Sequence, residues 1–201
     1  MDFDKFFWEE KFINNETGWD IGYVSTPLKE YFDRLSDKNL KILIPGSGNG
    51  YEAGYLYELG FKNTFVLEWS DTAIKNFLAR FPKFPSENIH NEDFFSHSTK
   101  YSGKYDLIVE QTFFCAIHPS QRESYIKQIL DLLSPEGKLV GLLLDKNFDS
   151  GGPPYGGTRD EYVKMFEPYF NFKYFDKCYN SIKPRMGSEL FINLIKKENF
   201  K

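Results

Sequence analysis

The spacing of hydrophobic positions changes character near residue 41. Before it, Phe3, Phe7, Trp8, Phe12 and Ile13 recur at helical intervals with Asp4, Lys5, Glu9 and Glu10 between them, which predicts a short amphipathic helix over 3–13. Asn14 to Gly18 is turn chemistry. Trp19 to Pro27 reads as a loop carrying large apolar groups, and Leu28, Tyr31, Phe32 and Leu35 resume helical spacing. No strong strand is expected ahead of residue 41.

Strand and helix patterns then alternate. Residues 41–45 read as a strand, Tyr51 to Leu59 as a helix stopped by Gly60, and Thr64 to Glu68 as a second strand. Ser70 is a good N-cap for a helix over 71–80, with Asp71 in its first turn. A short strand is expected at 88–90 and a longer one from Tyr105 to Glu110. Pro119 is expected to open a helix reaching Leu133, Ser134 to Gly137 a tight turn, and Lys138 to Asp145 a central strand covered on both faces. Lys146 to Gly157 is a Gly/Pro loop, 158–167 a helix, and 170–180 and 188–196 a closing hairpin with Pro184 and Gly187 in its loop. This alternation predicts one α/β domain: a doubly wound, seven-stranded, mostly parallel sheet with an antiparallel C-terminal strand. Its divisions would be a helical segment at 1–40, a core at 41–145, and a loop plus hairpin at 146–201.

Composition narrows the classes. A chain of 201 residues can bury a proper core, and 41% hydrophobic with 27% charged residues is ordinary for a globular protein. The net charge of −4 argues against a nucleic-acid groove. No apolar run reaches the ~18 residues of a membrane span. The acidic, aromatic N-terminus (Met1 to Lys5) is unlike a signal peptide, so a cytoplasmic protein is expected, with a monomer as the default. Cys115 and Cys178 read as buried free thiols, and His90, His97 and His118 show no metal-ligand spacing, so no metal is expected. The 18% aromatic content reads mainly as core, with a remainder able to line a pocket for a cation or a flat ligand.

The chemistry begins at Pro45-Gly46-Ser47-Gly48-Asn49-Gly50, a glycine turn between a strand and a helix, as in nucleotide-binding α/β folds. Its spacing is G-x-G-x-G and not the G-x-G-x-x-G of dinucleotide folds. Glu68 ends the next strand, where a carboxylate accepts from both ribose hydroxyls of an adenosine. Loop and acid together fit NAD or S-adenosylmethionine. The alternate glycines, Asp93-Phe94 after the third strand and Leu133 to Leu139 before the fifth favour the latter.

The chain resembles the thiopurine S-methyltransferase family, particularly its plant branch of halide/thiol methyltransferases, nearly end to end. Trp8-Glu9-Glu10-Lys11-Phe12 is similar to the family's W-x-x-x-W, with Phe12 for the second Trp. Thr17-Gly18-Trp19-Asp20 resembles the following T-x-W/F segment. The glycine loop resembles P-G-C-G, with Ser47 for Cys. Phe113 to Pro119 resembles F-F-C-A-I-x-P, and Gly151 to Tyr155 the plant G-G-P-P-Y.

That resemblance implies a class I, Rossmann-like methyltransferase that uses S-adenosylmethionine and releases S-adenosylhomocysteine. Trp8, Phe12 and Trp19 would form an N-terminal lid. Gly46, Gly48, Glu68, Asp93 and Phe94 would contact the cofactor. Gln111 stands where the plant branch has an aromatic residue at the cofactor. Arg122 would lie near the substrate and help orient the acceptor, while Tyr155 and Trp19 would line the acceptor pocket. The acceptor would be a small thiol, bisulfide, halide or thiopurine-like molecule. Such a nucleophile needs alignment and exclusion of water but no protein base; a covalent role for Cys115 with His118 would need an orienting third group as well. Two other readings stay open: a nicotinamide-dependent oxidoreductase, and a binding module that keeps the cofactor pocket without turnover.

Overall fold

A computed structural model describes residues 3–97, 101–148 and 151–198. Met1 and Asp2 of the N-terminal reading, and residues 149–150 of the Gly/Pro loop, lie outside them. Helices α1 (Lys5–Ile13) and α2 (Thr26–Asp33) come first. The parallel strands follow: β1 (Ile42–Pro45), β2 (Thr64–Leu67), β3 (Ile89–His90), β4 (Tyr105–Gln111) and β5 (Leu133–Leu144). Helices α3 (Tyr51–Glu58), α4 (Asp71–Arg80), α5 (Arg122–Leu132) and α6 (Arg159–Phe166) cover the sheet, which ends in β6 (Phe170–Lys177) and β7 (Glu189–Lys196).

The strand order is β3-β2-β1-β4-β5-β7-β6, with β7 antiparallel to both its neighbours. Side-chain alternation along each strand separates two apolar layers. Ile42, Ile44, Val66, Val109 and Val140 face Leu28 and Phe32 of α2, Ala53 and Leu56 of α3 and Phe77 of α4. Leu43, Leu67, Ile108 and Leu139 face Tyr125 and Ile129 of α5 and Tyr162 and Phe166 of α6. Each such fully buried aliphatic or Phe side chain contributes roughly 1.5–3 kcal/mol.

Local chemistry explains most boundaries. Asp4 accepts from the Phe7 N–H and caps α1, and Ser70 accepts from the Ala73 N–H and caps α4. Thr158 and Glu161 form a reciprocal capping box on α6. Three expectations are corrected. The chain at Pro119–Gln121 is a 3-10 turn, so the α-helix proper starts at Arg122. The second helix begins at Thr26, with Pro27 in its first turn, rather than at Leu28. Strand β5 begins at Leu133 instead of Lys138, because Leu133 already pairs with Tyr105 and Lys138 with Leu107. The expected turn is a bulge inside the strand, absorbed by the positive φ of Glu136 (59°) and by Ser134, whose hydroxyl donates to Asp106.

Among the described residues no helix is long and apolar enough to cross a membrane.

Candidate functional site

Strand order reverses between β1 and β4, and a cleft opens there at the carboxyl ends of the strands, the usual ligand position of open α/β sheets. It holds about 470 Å3 of empty space, part of it open to solvent, between Ile44, the 46–49 loop, Gln111 and Thr112 on one side and Trp19 to Tyr23 on the other.

The glycine loop forms the floor. Gly46, Gly48 and Gly50 all have positive φ (57°, 52° and 71°). A Cβ on Gly46 would lie 2.2 Å from the Phe113 ring, and one on Gly50 2.2 Å from Phe77, so these two glycines answer to the protein's own aromatic core. Gly48 is different. Its Cβ position is open except for Phe12 at 3.5 Å, so α1 rests directly on the middle of the loop.

Above the loop, Trp19 meets Trp8 and Phe12 edge to face, with centroids 5.6 and 5.9 Å away. Glu68 is buried at the tip of β2, and all its described partners are backbone N–H groups: Gly48 on Oε2 at 2.6 Å, Trp69 and Ser70 on Oε1 at 2.7 and 2.9 Å. Burial pushes its pKa up against those donors. A carboxylate offers about four acceptor sites, so Glu68 keeps one for a hydroxyl while holding the loop.

Further polar groups converge on the cleft. Asn49 donates to Asp20, whose other oxygen accepts from the Gly22 N–H at 2.7 Å. Glu52 is buried, accepts from the Ser25 N–H at 3.0 Å, and is pushed up by burial. Three buried atoms on the lining lack a hydrogen-bond partner: Ser47 Oγ, Asn49 Oδ1 and Gln111 Oε1. Buried polar atoms are usually paired, so these three are open to a polar ligand or to water. With two carboxyl groups and aromatic rings beside them, they suit a ligand that is polar at several points and cationic.

The residues singled out by sequence do not all line this cleft. Trp19, Gly46, Gly48 and Gln111 do, and Phe12, Trp8 and Glu68 touch those that do. Phe94 is packed in the core against Phe113 and Tyr125, with Asp93 half-buried just before it. Arg122 is 7% exposed; its Nη2 donates to the Tyr155 and Gly156 carbonyls at 3.2 and 2.9 Å, and its guanidinium lies over the Phe114 ring. Tyr155 lies between His118 and Phe3, and Phe3 continues the row of rings through Phe7 to Trp8. The N-terminal helix and the Gly/Pro loop thus meet beside the cleft.

Burial pushes the Cys115 thiol up to about 12, and its Sγ donates to the Thr112 carbonyl. His118 Nδ1 pairs with Ser120. His90, Glu92 and His97 come within 4.8 Å of one another, which their sequence spacing did not signal. His97 Nδ1 bonds Glu92 at 2.5 Å and its Nε2 meets the Tyr105 hydroxyl.

Several site residues escaped the sequence reading. Glu9 sat in view in a helical pattern, but its partners, Ser70 and Thr72, are more than sixty residues away. Thr112 turns the chain after β4 with φ 56°, costly for a β-branched residue and invisible in composition. Arg185 reaches across to the Trp19 carbonyl at 2.7 Å from the β6–β7 loop.

Comparison with known proteins bears on the family and the fold. The family model described as thiopurine S-methyltransferase matches residues 3–194. A probable thiol methyltransferase 2 of Arabidopsis thaliana is 30% identical over 90% of this chain and 81% of its own length. Thiocyanate methyltransferase 1 of Brassica oleracea is 28% identical over the same shares. Among solved structures, the magnesium protoporphyrin IX methyltransferase of Synechocystis PCC 6803 superposes with a TM-score of 0.73 at 13% identity, covering 98% of each chain, and so matches in fold.

Proposed function

Since the chain belongs to the thiopurine S-methyltransferase family and is an S-adenosylmethionine-dependent S-methyltransferase, we propose that it methylates a small, soft, electron-rich acceptor: a thiol, bisulfide or halide, or a thiopurine-like heterocycle. The observation that carries this reading is the gathering around one cleft of aromatic rings (Trp19 on the lining, backed by Trp8 and Phe12) and carboxyl groups (Asp20 and Glu52 on the lining, Glu68 behind the Gly48 N–H). Rings and carboxylates both favour a cation over a neutral ligand. When bound, the cofactor supplies a methyl group activated by a sulfonium.

The chain's own residues then have separable tasks. Glu68 and the 46–50 loop hold the adenosine end, and the orphaned oxygens of Ser47, Asn49 and Gln111 take polar groups of the same ligand. Segment 1–40 covers the cleft, 41–145 carries it, and 146–201 bounds the acceptor side. Arg122 works through the loop it holds, fixing Tyr155 beside the N-terminal rings. A thiolate, bisulfide or halide arrives as a nucleophile, so alignment and exclusion of water suffice. The neutral Cys115 thiol and the Ser120-bound His118 fit that economy, since neither is set up as a nucleophile with its base.

The test is a panel of labelled S-adenosylmethionine with bisulfide, iodide, thiocyanate, an aromatic thiol and a thiopurine. Methyl product from at least one soft nucleophile is the expected result, and the rank order assigns the acceptor. Calorimetry with S-adenosylhomocysteine and NAD runs beside it. Cofactor binding with no product from any acceptor favours a binding module, and NAD binding without S-adenosylhomocysteine binding favours an oxidoreductase.

A further inference from the structure

Helix α1 is fastened at several points, the Lys5–Asp71 pair at 3.3 Å among them, and two of these converge on the same carboxylate. The first is Glu9. Its carboxylate accepts from Ser70 Oγ and Thr72 Oγ1, both at 2.5 Å, and from the Thr72 N–H at 3.2 Å. Burial alone would raise Glu9, but these bonds outweigh it and hold the group below the usual carboxylate range. The second is Phe12, three residues on, against Gly48. Ser70 and Gly48 are themselves donors to Glu68: the Ser70 N–H to Oε1 and the Gly48 N–H to Oε2. A nine-residue helix therefore grips both walls of the Glu68 cage.

We propose that Glu9 is a positioning residue, a latch that keeps α1 docked and through Ser70 fixes Glu68 for the cofactor. Docking the helix and orienting the carboxylate become one event, so the cofactor is held tightly only while α1 is down. The inference rests on the assignment of Glu68 to the cofactor. The plain alternative is that Glu9 only adds a carboxylate to the N-terminus of α4, where the helix dipole and a spare N–H favour one. The two differ in consequence: a lost cap lowers stability, whereas a lost latch loosens the cofactor.

All three tryptophans of the chain, Trp8, Trp19 and Trp69, stand at this site, so intrinsic fluorescence reports on it directly. S-adenosylhomocysteine would be titrated by calorimetry, and its release followed by stopped-flow fluorescence, in wild type, Glu9→Ala, Glu9→Gln, Glu68→Gln and Glu9→Ala/Glu68→Gln. Glu9→Ala should weaken binding by about tenfold through faster release, raising KM for S-adenosylmethionine and sparing KM for the acceptor. Glu9→Gln, which keeps one accepting oxygen, should recover part of that loss. In the Glu68→Gln background the Glu9→Ala effect should fall to under about threefold, the non-additivity of residues acting as one unit. Thr72→Val, which removes one donor and keeps the side-chain shape, supplies the same reading should Glu9→Ala fold poorly. Wild-type affinity in Glu9→Ala or Thr72→Val with a lowered Tm would overturn the latch, and so would full additivity. Unchanged affinity in Glu68→Gln would instead remove Glu68 from the cofactor site.

Discussion

Glu110 shows how single residues can be set against their own chemistry. It is buried at the end of β4, where Oε1 accepts from the Phe113 and Phe114 N–H groups at 2.8 and 2.7 Å and Oε2 from the Tyr125 hydroxyl at 2.7 Å. Burial outweighs these donors and raises the group from an ordinary 4.5 to about 7. The sign follows. The unfolded chain ionises near pH 4.5 while the folded one stays protonated to about pH 7, so folding stability falls as pH rises across that window and levels off above it. Glu110→Gln, which keeps the shape and an accepting oxygen for the two N–H groups, should flatten that slope in urea melts taken from pH 4.5 to 8. An unaltered slope would assign the titration to other groups.

The glycines at the same scale were only half legible. Their presence announced a ligand loop, but the reason for Gly46 and Gly50 is the proximity of Phe113 and Phe77, contacts across 67 and 27 positions of sequence. Thr112 and Glu52 gave no signal at all, because a backbone angle and a burial that depends on the 23–25 segment are properties of the assembled chain.

At the scale of elements, the two segments that bound the cleft are held by different means. Helix α1 is fastened by Glu9 and Phe12, whereas the 151–157 loop hangs on Arg122 and on the Tyr155 N–H to Cys115 carbonyl bond of 2.6 Å. One guanidinium nitrogen serves both the Tyr155 and Gly156 carbonyls while the planar group lies over Phe114. Lysine keeps the charge and cannot reproduce that geometry. Arg122→Lys is therefore expected to leave S-adenosylhomocysteine affinity within about twofold, to speed proteolytic nicking of the loop, and to lower turnover at least about tenfold. Loss of cofactor affinity in that variant would move Arg122 into the cofactor's own site. Element order and the doubly wound class were readable because apolar spacing is local. The bulge in β5 was not, since the residues that keep Leu133 in the strand belong to β4, and Pro135 and Gly137 alone resemble a turn.

At the scale of the molecule, the 46–49 loop after β1, Glu68 past β2, and Gln111 with Thr112 at the end of β4 gather at one end of the parallel strands, under the 19–23 segment. The opposite flank of the sheet supplies no residue of the cleft lining, although Arg185 in its β6–β7 loop donates to the Trp19 carbonyl. β7 bonds to β5 along seven residue pairs and to β6 along seven more, and β6 has no other partner among the described strands. A chain cut before Glu189 would leave β6 unpaired and expose the apolar edge of β5, a template for aggregation. Such a truncation should pellet on expression even though every residue lining the cleft is present, and a soluble product that binds S-adenosylhomocysteine would show the flank to be dispensable.

The middle position of β7 also bears on how the protein is made. Chains emerge from the ribosome N-terminus first, and their domains fold as units. Here β1 to β5 and the cofactor loop emerge first, and β6 emerges with nothing to pair with until β7 follows and takes its place between β5 and β6. The nascent protein therefore carries an open β5 edge through the synthesis of more than forty residues, from Leu144 to Glu189, and the last strand to arrive is the one that shuts it.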